Sequence, residues 1–306
     1  MGSAWTAKLA GLLPASAEEL RAGAQSRFDA VNLALSTYRA DSALSRFNDD
    51  DSGEWVKVGP ELGEVLAYAL SLAERSGGAY DITVGPLVNL WGFGPEPATR
   101  QVPDASAIDA ARERVGWRGV EVDPTHTLAR KRPGVRVDLS SLGKGRGVDR
   151  VAEYLDSRGI ANYLIDLSGK LRARGRNARG EPWRVAVERP TADVASDARE
   201  IEPAIVALHD ESVATAGDYR RFFESGGRHY SHIIDPRTGF PVAHSTVSAT
   251  VIADDCMQAD ALATVMMVMP PAEALALAER SGLRALLIAH AGKYTVLRSA
   301  KWPAVP

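Results

Sequence analysis

One segment of the sequence places a lysine between two glycines where a strand is predicted to run into a helix. Residues 137–147 read Val-Asp-Leu-Ser-Ser-Leu-Gly-Lys-Gly-Arg-Gly, and the lysine is Lys144. Free amides and the dipole at a helix start favour an anion, and a lysine adds a positive charge. Gly145 stands where a Walker A loop has Ser or Thr, so the segment is not such a loop. The pattern fits a phosphate site or an ordinary exposed turn.

A histidine lies at the predicted end of a strand. His232 belongs to the segment Tyr230–Gly239, which runs from aromatic and β-branched residues into an Asp-Pro turn. An imidazole at such a place is suited to proton transfer near neutral pH. The alternative is a histidine whose ring is satisfied by neighbouring backbone.

Two oxygen-bearing side chains share one face of a predicted helix. Asp260 and Thr264 are four residues apart, so their side chains lie one turn from each other. Both offer the hard oxygen ligands that Mg²⁺ takes together with substrate phosphates. The alternative is an aspartate favoured by the helix dipole and a threonine bonded back to a carbonyl.

The apolar spacing around these segments predicts a chain of mixed α and β structure. The predicted helices cover residues 16–38, 59–76, 105–115, 148–159, 257–269 and 272–280. The predicted strands cover residues 135–139, 163–167, 183–187, 205–208, 230–234, 246–252, 285–289 and 294–297. A tight glycine-rich turn is predicted between the first strand and the fourth helix. Residues 94–102 and 191–202 are the loosest stretches.

The composition excludes several classes of protein. The 306 residues are 45% hydrophobic, and 36 Lys+Arg against 39 Asp+Glu leave a net charge of −3. A dedicated nucleic-acid binder normally carries a basic surplus, so we expect no nucleic-acid partner. Apolar runs such as Val265–Met269 are far shorter than the roughly 20 residues of a membrane helix, so we expect no transmembrane segment. No signal peptide or lipid-attachment cysteine is recognisable. This predicts a cytoplasmic protein, or an extracytoplasmic one if a leader has been trimmed.

In this order, the segments resemble those of the ApbE family, the FAD:protein FMN transferases, over nearly the whole chain. The segment 137–148 is similar to the family signature D-[LF]-[GS]-[GS]-x-[AG]-K-G, and 259–264 to A-D-[AG]-x-[AS]-T. The other similar segments are Met1–Ser3, Tyr38–Asn48, Tyr80–Leu87, Thr215–Tyr219 and Tyr230–Gly239.

The resemblance implies a fold and an activity. The fold would be α+β and related to the T-fold, a single domain over residues 1–306 with two interleaved halves of mixed sheets and helices around a central FAD cleft. The activity would be that of a Mg²⁺-dependent transferase. It would move FMN from FAD to the hydroxyl of a threonine or serine in a loop of an acceptor flavoprotein, with release of AMP.

The resemblance also assigns roles to residues of this sequence. His232 would transfer the proton. Mg²⁺ would be held by Asp260, Thr264 and the backbone carbonyl of Ser141. The residues that would line the FAD site are Met1, Tyr38, Ala79, Tyr80, Asp81, Asp138, Lys144 and Ile234.

Three positions depart from the family pattern. Lys170 ends a Ser-Gly-Lys segment where G-G-[DN] is usual, Ala216 replaces the serine of T-S-G, and Arg146 stands where many members have an aromatic or other large residue. Two alternative functions stay open beside the transferase, whereas a magnesium-requiring nucleotide kinase is disfavoured by the missing Walker A loop. One is an FAD pyrophosphatase that gives FMN and AMP, and the other is a non-enzymatic FAD-binding protein, which Lys170 and Ala216 would favour.

Overall fold

The computed structural model describes residues 3–94, 100–188, 190, 204–218 and 222–303. The helices are α1 (Ala17–Leu35), α2 (Ala43–Asp49), α3 (Pro60–Arg75), α4 (Gly85–Leu90), α5 (Ala105–Arg112), α6 (Ser140–Ser157), α7 (Cys256–Val268) and α8 (Pro271–Arg280). The strands are β1 (Trp5–Leu9), β2 (Val56–Lys57), β3 (Val120–Val122), β4 (Leu128–Lys131), β5 (Tyr163–Leu167), β6 (Lys170–Arg174), β7 (Trp183–Ala186), β8 (Ile205–Leu208), β9 (Ser212–Gly217), β10 (Phe222–Ser225), β11 (Arg228–Ser231), β12 (Ile234–Asp235), β13 (Phe240–Pro241), β14 (Thr246–Ala253), β15 (Arg284–His290) and β16 (Tyr294–Arg298). The predicted α+β class is confirmed.

The chain divides into two units whose segments alternate along the sequence. The first unit contains Met1–Asn32, Ser141–Gly217 and Ser245–Pro306, and the second contains Leu33–Ser140 and Asp218–His244. The assignment of one domain to residues 1–306 stays a prediction.

A seven-stranded antiparallel sheet forms the centre of the first unit. Its strand order is β1-β5-β6-β9-β14-β15-β16. Alternate side chains of a strand face opposite sides of the sheet. Accordingly Tyr163, Ile165 and Leu167 of β5 pack in the cluster that includes residues of α1 and α6, whereas Leu164 packs in a second cluster with Trp183 and others. The sheet is therefore covered by apolar side chains on both faces.

Helix α7 carries a candidate metal ligand and is one of the most buried elements of the first unit. Eleven of its 13 residues are buried, and it packs against β9 and β14. The predicted helices at 257–269 and 272–280 are confirmed to within one residue. Across the described ranges, no helix is both long enough and apolar enough to span a bilayer.

The second unit is built from small elements. Strands β2, β4 and β3 form a three-stranded sheet, β10 pairs with β11, and β12 pairs with β13. An apolar cluster joins α4 and α5 to β12 through Leu87, Trp91, Ile108 and Ile234. The indole nitrogen of Trp91 also donates to the carbonyl of Gly239 at 3.0 Å. This cluster positions the segment that contains His232.

The strand predicted at residues 135–139 is wrong. Val137 is buried, but its backbone pairs with a side chain rather than with a strand. The amide of Asn48 donates to the Val137 carbonyl at 2.8 Å, and the Val137 N–H donates to the Asn48 Oδ1 at 2.7 Å. The Asp138 N–H donates to the carbonyl of Ile82 at 2.7 Å. A buried backbone must find hydrogen bonds, and here an asparagine 89 residues away supplies them.

Several predicted boundaries are also corrected. The glycine-rich turn before the fourth helix is itself helical, because α6 already begins at Ser140. The first helix ends at Leu35 rather than near residue 38, and α5 ends at Arg112. The strand predicted at 230–234 is interrupted at His232 and Ile233, between β11 and β12. The stretch 191–202 and residues 95–99 lie outside the described residues.

Candidate functional site

A glycine allows α6 and α7 to approach closely in the first unit. A Cβ added at Gly145 would lie 2.4 Å from the carbonyl oxygen of Cys256 and 2.6 Å from the Cα of Met257. No larger residue fits this contact without a shift of backbone, which explains a glycine inside a helix despite its low helix propensity. The contact brings the first turns of the two helices together, and with them the segments that contain Ser141 and Asp260.

The carboxylate of Asp260 is buried at this helix contact and both of its oxygens are engaged. Only 4% of Asp260 is exposed. Its Oδ2 accepts the N–H of Gly145 at 3.3 Å, and its Oδ1 pairs with the Nζ of Lys170 at 2.9 Å. The same Nζ donates to the carbonyl of Thr215 at 2.6 Å. The carboxylate is therefore held by one element on each side, α6 and β6.

A second buried carboxylate holds the start of α7. The Oδ1 and Oδ2 of Asp149 accept the N–H groups of Cys256 and Met257, both at 2.8 Å. Arg172 of β6 pairs with the same carboxylate at 2.8 Å. Burial raises the pKa of Asp149 to about 6, and the hydrogen bond from Cys256 acts in the opposite direction. Asp149 thus satisfies two amides that a helix start leaves without intrahelical partners, and so positions the helix that carries Asp260.

Replacing Asp149 with Asn is expected to lower the free energy of unfolding by about 3 kcal/mol at neutral pH. The amide offers one acceptor for two N–H groups, and Arg172 loses its counter-charge in a largely buried place. Urea unfolding followed by circular dichroism measures the loss.

The matched control for this prediction is Glu153→Gln, on the same helix. Glu153 pairs with Arg150 at 2.6 Å, but 55% of its side chain is exposed. Exposed pairs contribute about 0–1 kcal/mol. If Asp149→Asn lowers the free energy of unfolding no more than this control does, the contacts of Asp149 with the start of α7 and with Arg172 contribute little to stability.

The proposed metal ligands fit a hard divalent cation in their chemistry. Asp260 offers a carboxylate, and Thr264 one turn later offers a hydroxyl whose proton is donated to the Asp260 carbonyl at 3.1 Å, so that the oxygen keeps its lone pairs. A positive charge already lies at Asp260, namely the ammonium of Lys170. Among the residues that the structure describes, no group of three or more His, Cys, Asp or Glu side chains is arranged so that it could hold a metal ion. One carboxylate with hydroxyl and carbonyl oxygens is a donor set typical of Mg²⁺.

Lys144 lies one turn into α6 rather than at its first residue. The N–H of Ser140, at the start of the helix, donates to the carboxylate of Asp138 at 2.7 Å. Lys144 is partly exposed and directly precedes Gly145, whose N–H contacts Asp260. Lys144 is thus the sequence neighbour of the residue that contacts the Asp260 carboxylate.

Asp81 organises a loop of the second unit. Its Oδ1 accepts from the N–H and the hydroxyl of Thr83 at 2.7 and 2.6 Å, and its Oδ2 accepts the N–H of Trp117 at 3.0 Å. Burial raises the pKa of Asp81, and these hydrogen bonds oppose the shift. A cavity of about 600 Å³ lies beside this carboxylate and is also lined by Gly77, Gly78 and Trp117. Asp81 therefore forms part of the wall of this cavity.

The other predicted FAD residues of the second unit differ in exposure. Ala79 and Tyr80 are buried, whereas 73% of Tyr38 is exposed. Asp138 is joined to the segment after Asp81 by its hydrogen bond to Ile82. Ile234 is buried in the cluster around Trp91. Met1 lies outside the described residues.

His232 lies in the break between β11 and β12. Its side chain is partly exposed, and its ring meets the ring of Phe93 edge-on with centroids 6.3 Å apart. The adjacent N–H of Ile233 donates to the hydroxyl of Ser231 at 3.1 Å. A partly exposed histidine at a strand break is compatible with proton transfer and with a packing role beside Phe93, and its catalytic role stays a prediction.

Sequence reasoning missed Asp149 and Arg172 and found Lys170 only as a departure from a pattern. A signal existed for Asp149, which is the one acidic residue among Val148, Val151 and Leu155 on the buried face of α6. Of the other departures, Ala216 lies opposite Ala249 in the sheet and Arg146 is partly exposed.

The chain is similar to known proteins over almost its whole length. Residues 1–287 match the model of a family described as the ApbE family. The FAD:protein FMN transferase of Escherichia coli (strain K12) is 39% identical over 95% of this chain and 83% of the relative. The protein of the same name from Vibrio cholerae is 45% identical over 84% of this chain and 75% of the relative. The solved structure of the flavin transferase ApbE from Vibrio cholerae has a TM-score of 0.89 at 39% identity and covers 99% of this chain and 95% of that one.

Proposed function

Because the chain belongs to the ApbE family, we propose that it transfers the FMN part of FAD to a threonine or serine hydroxyl of an acceptor protein, with Mg²⁺, and releases AMP. One observation of the structure supports this most directly. The buried carboxylate of Asp260 accepts the N–H of Gly145, the residue that follows Lys144, so that a cation-binding group lies at the turn of α6 that contains the lysine. A pyrophosphate with its metal requires both kinds of group.

The proposed reaction is one displacement at phosphorus. The acceptor hydroxyl oxygen forms a bond to the FMN phosphorus, the bond from that phosphorus to the bridging oxygen breaks, and the electron pair leaves with AMP. His232 would accept the hydroxyl proton. A hydroxyl is a weak nucleophile at neutral pH, and a positioned base accelerates such a step by about 10²- to 10⁴-fold.

The first unit would bind the charged part of FAD. Asp260, Thr264 and the carbonyl of Ser141 would hold Mg²⁺, which when bound neutralises charge on phosphate oxygens. Lys144 would place its ammonium on the same pyrophosphate. On the resemblance, Tyr80 and Asp81 would bind other parts of FAD, as would Tyr38, Ala79, Asp138 and Ile234. Met1 is proposed for the same site on the resemblance alone.

Replacing Lys144 with Ala is expected to weaken FAD binding by about tenfold or more and to leave riboflavin binding unchanged. Only FAD carries phosphates, and a hydrogen bond to a charged group contributes about 1.5–3 kcal/mol. Fluorescence titration with each ligand measures the two dissociation constants. Lys8→Ala, at an exposed lysine of β1, is the control for the loss of one charge. Equal weakening for both ligands would show that Lys144 acts on the fold rather than on phosphate.

The direct test uses FAD, Mg²⁺ and a small protein with an exposed Asp-Gly-Ala-Thr loop. In-gel flavin fluorescence detects labelling, and an AMP assay detects cleavage of FAD. Fluorescence on the acceptor together with AMP is the expected result. The matched acceptor has Val in place of the loop threonine, so that it keeps the shape and loses the hydroxyl, and it is expected to stay unlabelled.

Two other outcomes would overturn the transferase. AMP and free FMN without labelling, repeated with several acceptor loops, would mean that water is the nucleophile and that the protein is an FAD pyrophosphatase. FAD bound without either product would mean a binding protein. Ala216 and Lys170 are the residues that this last outcome would bring into question.

A further inference from the structure

The ammonium of Lys170 occupies the place next to Asp260 where a metal ion would be expected. The Nζ lies 2.9 Å from the Asp260 Oδ1, and the side chains of Lys170 and Asp260 are 10% and 5% exposed. The Nζ also donates to the carbonyl of Thr215 at 2.6 Å. Because the Gly145 N–H donates to the Oδ2, each oxygen of the Asp260 carboxylate has a partner within the chain.

The backbone holds Lys170 firmly in this position. Ser168 and Gly169 form a tight turn with φ of 51° and 82°, and Lys170 follows this turn as the first residue of β6. Lys170 pairs with Leu167 of β5 and with Ala214 of β9, so that strands flank it on both sides. The lysine cannot move away from Asp260 without a rotation of its own side chain, because its backbone is fixed in the sheet.

We infer that Lys170 is a built-in competitor of the divalent cation, which pairs with Asp260 when no metal is bound and must leave the Oδ1 when a metal binds. The inference rests on the metal site of the proposed function. A Mg²⁺ ion binds carboxylate oxygen at about 2.0–2.1 Å. An ammonium on the same oxygen would then lie within a few ångströms of a double positive charge, in a buried place where repulsion is poorly screened. The two cations therefore exclude each other at this oxygen.

Two consequences distinguish this role from that of an ordinary buried ion pair. Helix α7 is expected to stay in place when no metal is bound, because Asp260 then has Lys170 as its counter-charge. The affinity for metal is lowered, because each binding event must break the contacts of Lys170 with Asp260 and Thr215. Both consequences can be measured without FAD, acceptor or turnover.

The test is calorimetric titration of the full chain with Mg²⁺, and with Mn²⁺ as a second probe, at one fixed pH. Lys170→Met, which keeps the length of the side chain and removes the charge, is expected to bind Mg²⁺ about tenfold or more tightly than the wild type. Its melting temperature is expected to rise further with added Mg²⁺ than that of the wild type. Lys170→Gln removes the charge but keeps N–H donors for the Asp260 Oδ1 and the Thr215 carbonyl. Its metal affinity tests the inference if the methionine variant does not fold.

The control is Lys293→Gln, which removes the same charge from an exposed residue of the first unit. Its metal affinity is expected to equal that of the wild type. Equal affinity in wild type and both Lys170 variants would overturn the inference and leave the proposed metal site standing. Weaker binding in the variants would also overturn it, because Lys170 would then support the site. If neither wild type nor variants bind either metal, with or without FAD, the metal part of the proposed function fails together with the inference.

Discussion

Replacing Asp260 with Asn is expected to lower the rate of FMN transfer by about 10²- to 10³-fold, without recovery at higher Mg²⁺. A cation that neutralises charge in phosphoryl transfer contributes several kcal/mol, and about 1.4 kcal/mol corresponds to a factor of ten in rate. Asp260 is the single carboxylate among the three proposed ligands. Its amide keeps the shape and loses the charge that would hold the ion. The measurement is the rate of AMP release at saturating FAD over a series of Mg²⁺ concentrations.

The same substitution also leaves Lys170 buried without its counter-charge, at a cost of about 3 kcal/mol in unfolding free energy. The double variant Asp260→Asn, Lys170→Met removes both charges and so separates the two effects. It is expected to recover stability but not turnover. The surface control is Asp254→Asn, just before the same helix, which should keep the full rate. An active double variant would mean that Asp260 serves only the fold.

Much of the fold can be predicted from the sequence because local signals agree with packing. Helix α3 begins after Gly59 at Pro60 and ends at Arg75, close to its predicted bounds, because proline favours a helix start and its apolar residues recur at helical spacing. The strands at 163–167 and 205–208 are confirmed without change. In these places the signal for each element lies within a few residues.

The errors occur where a distant residue decides the structure. Val135–Leu139 has the β-branched pattern of a strand, but Asn48 takes the hydrogen bonds of Val137 and no strand pairs there. Strand β6 reads Lys-Leu-Arg-Ala-Arg and was not predicted, because three cations in five residues are typical of an exposed segment. Its Lys170 and Arg172 instead face carboxylates of α7 and α6.

In the candidate site, too, some features have a local sequence signal and others depend on distant residues. Spacing alone places Asp260 and Thr264 on one helix face, and the structure does have the threonine bonded back to the Asp260 carbonyl. No local pattern shows that Gly145 is needed because the Cys256 carbonyl lies within 2.4 Å of its missing Cβ. Pair interactions between elements far apart in sequence are what a single sequence hides. The roles of these residues in metal and flavin binding stay predictions.

Replacing His232 with Ala is expected to lower turnover by about 10²- to 10⁴-fold and to leave the affinity for FAD nearly unchanged. The base acts on the acceptor hydroxyl, whereas FAD would be bound by other residues. Fluorescence titration gives the affinity, AMP release gives the rate, and added imidazole is expected to restore part of it.

The control for this prediction is His229→Ala, three residues earlier in β11. His229 is exposed and stacks on Phe222 with ring centroids 4.4 Å apart, so it shares the hairpin but not the strand break. We expect full turnover from it. Unchanged turnover in His232→Ala as well would mean that the imidazole has only a packing role against Phe93, which is the structural alternative for this histidine. Loss of labelling with AMP release preserved would mean that the histidine directs the flavin to the acceptor rather than activating the hydroxyl, since water then reacts without it.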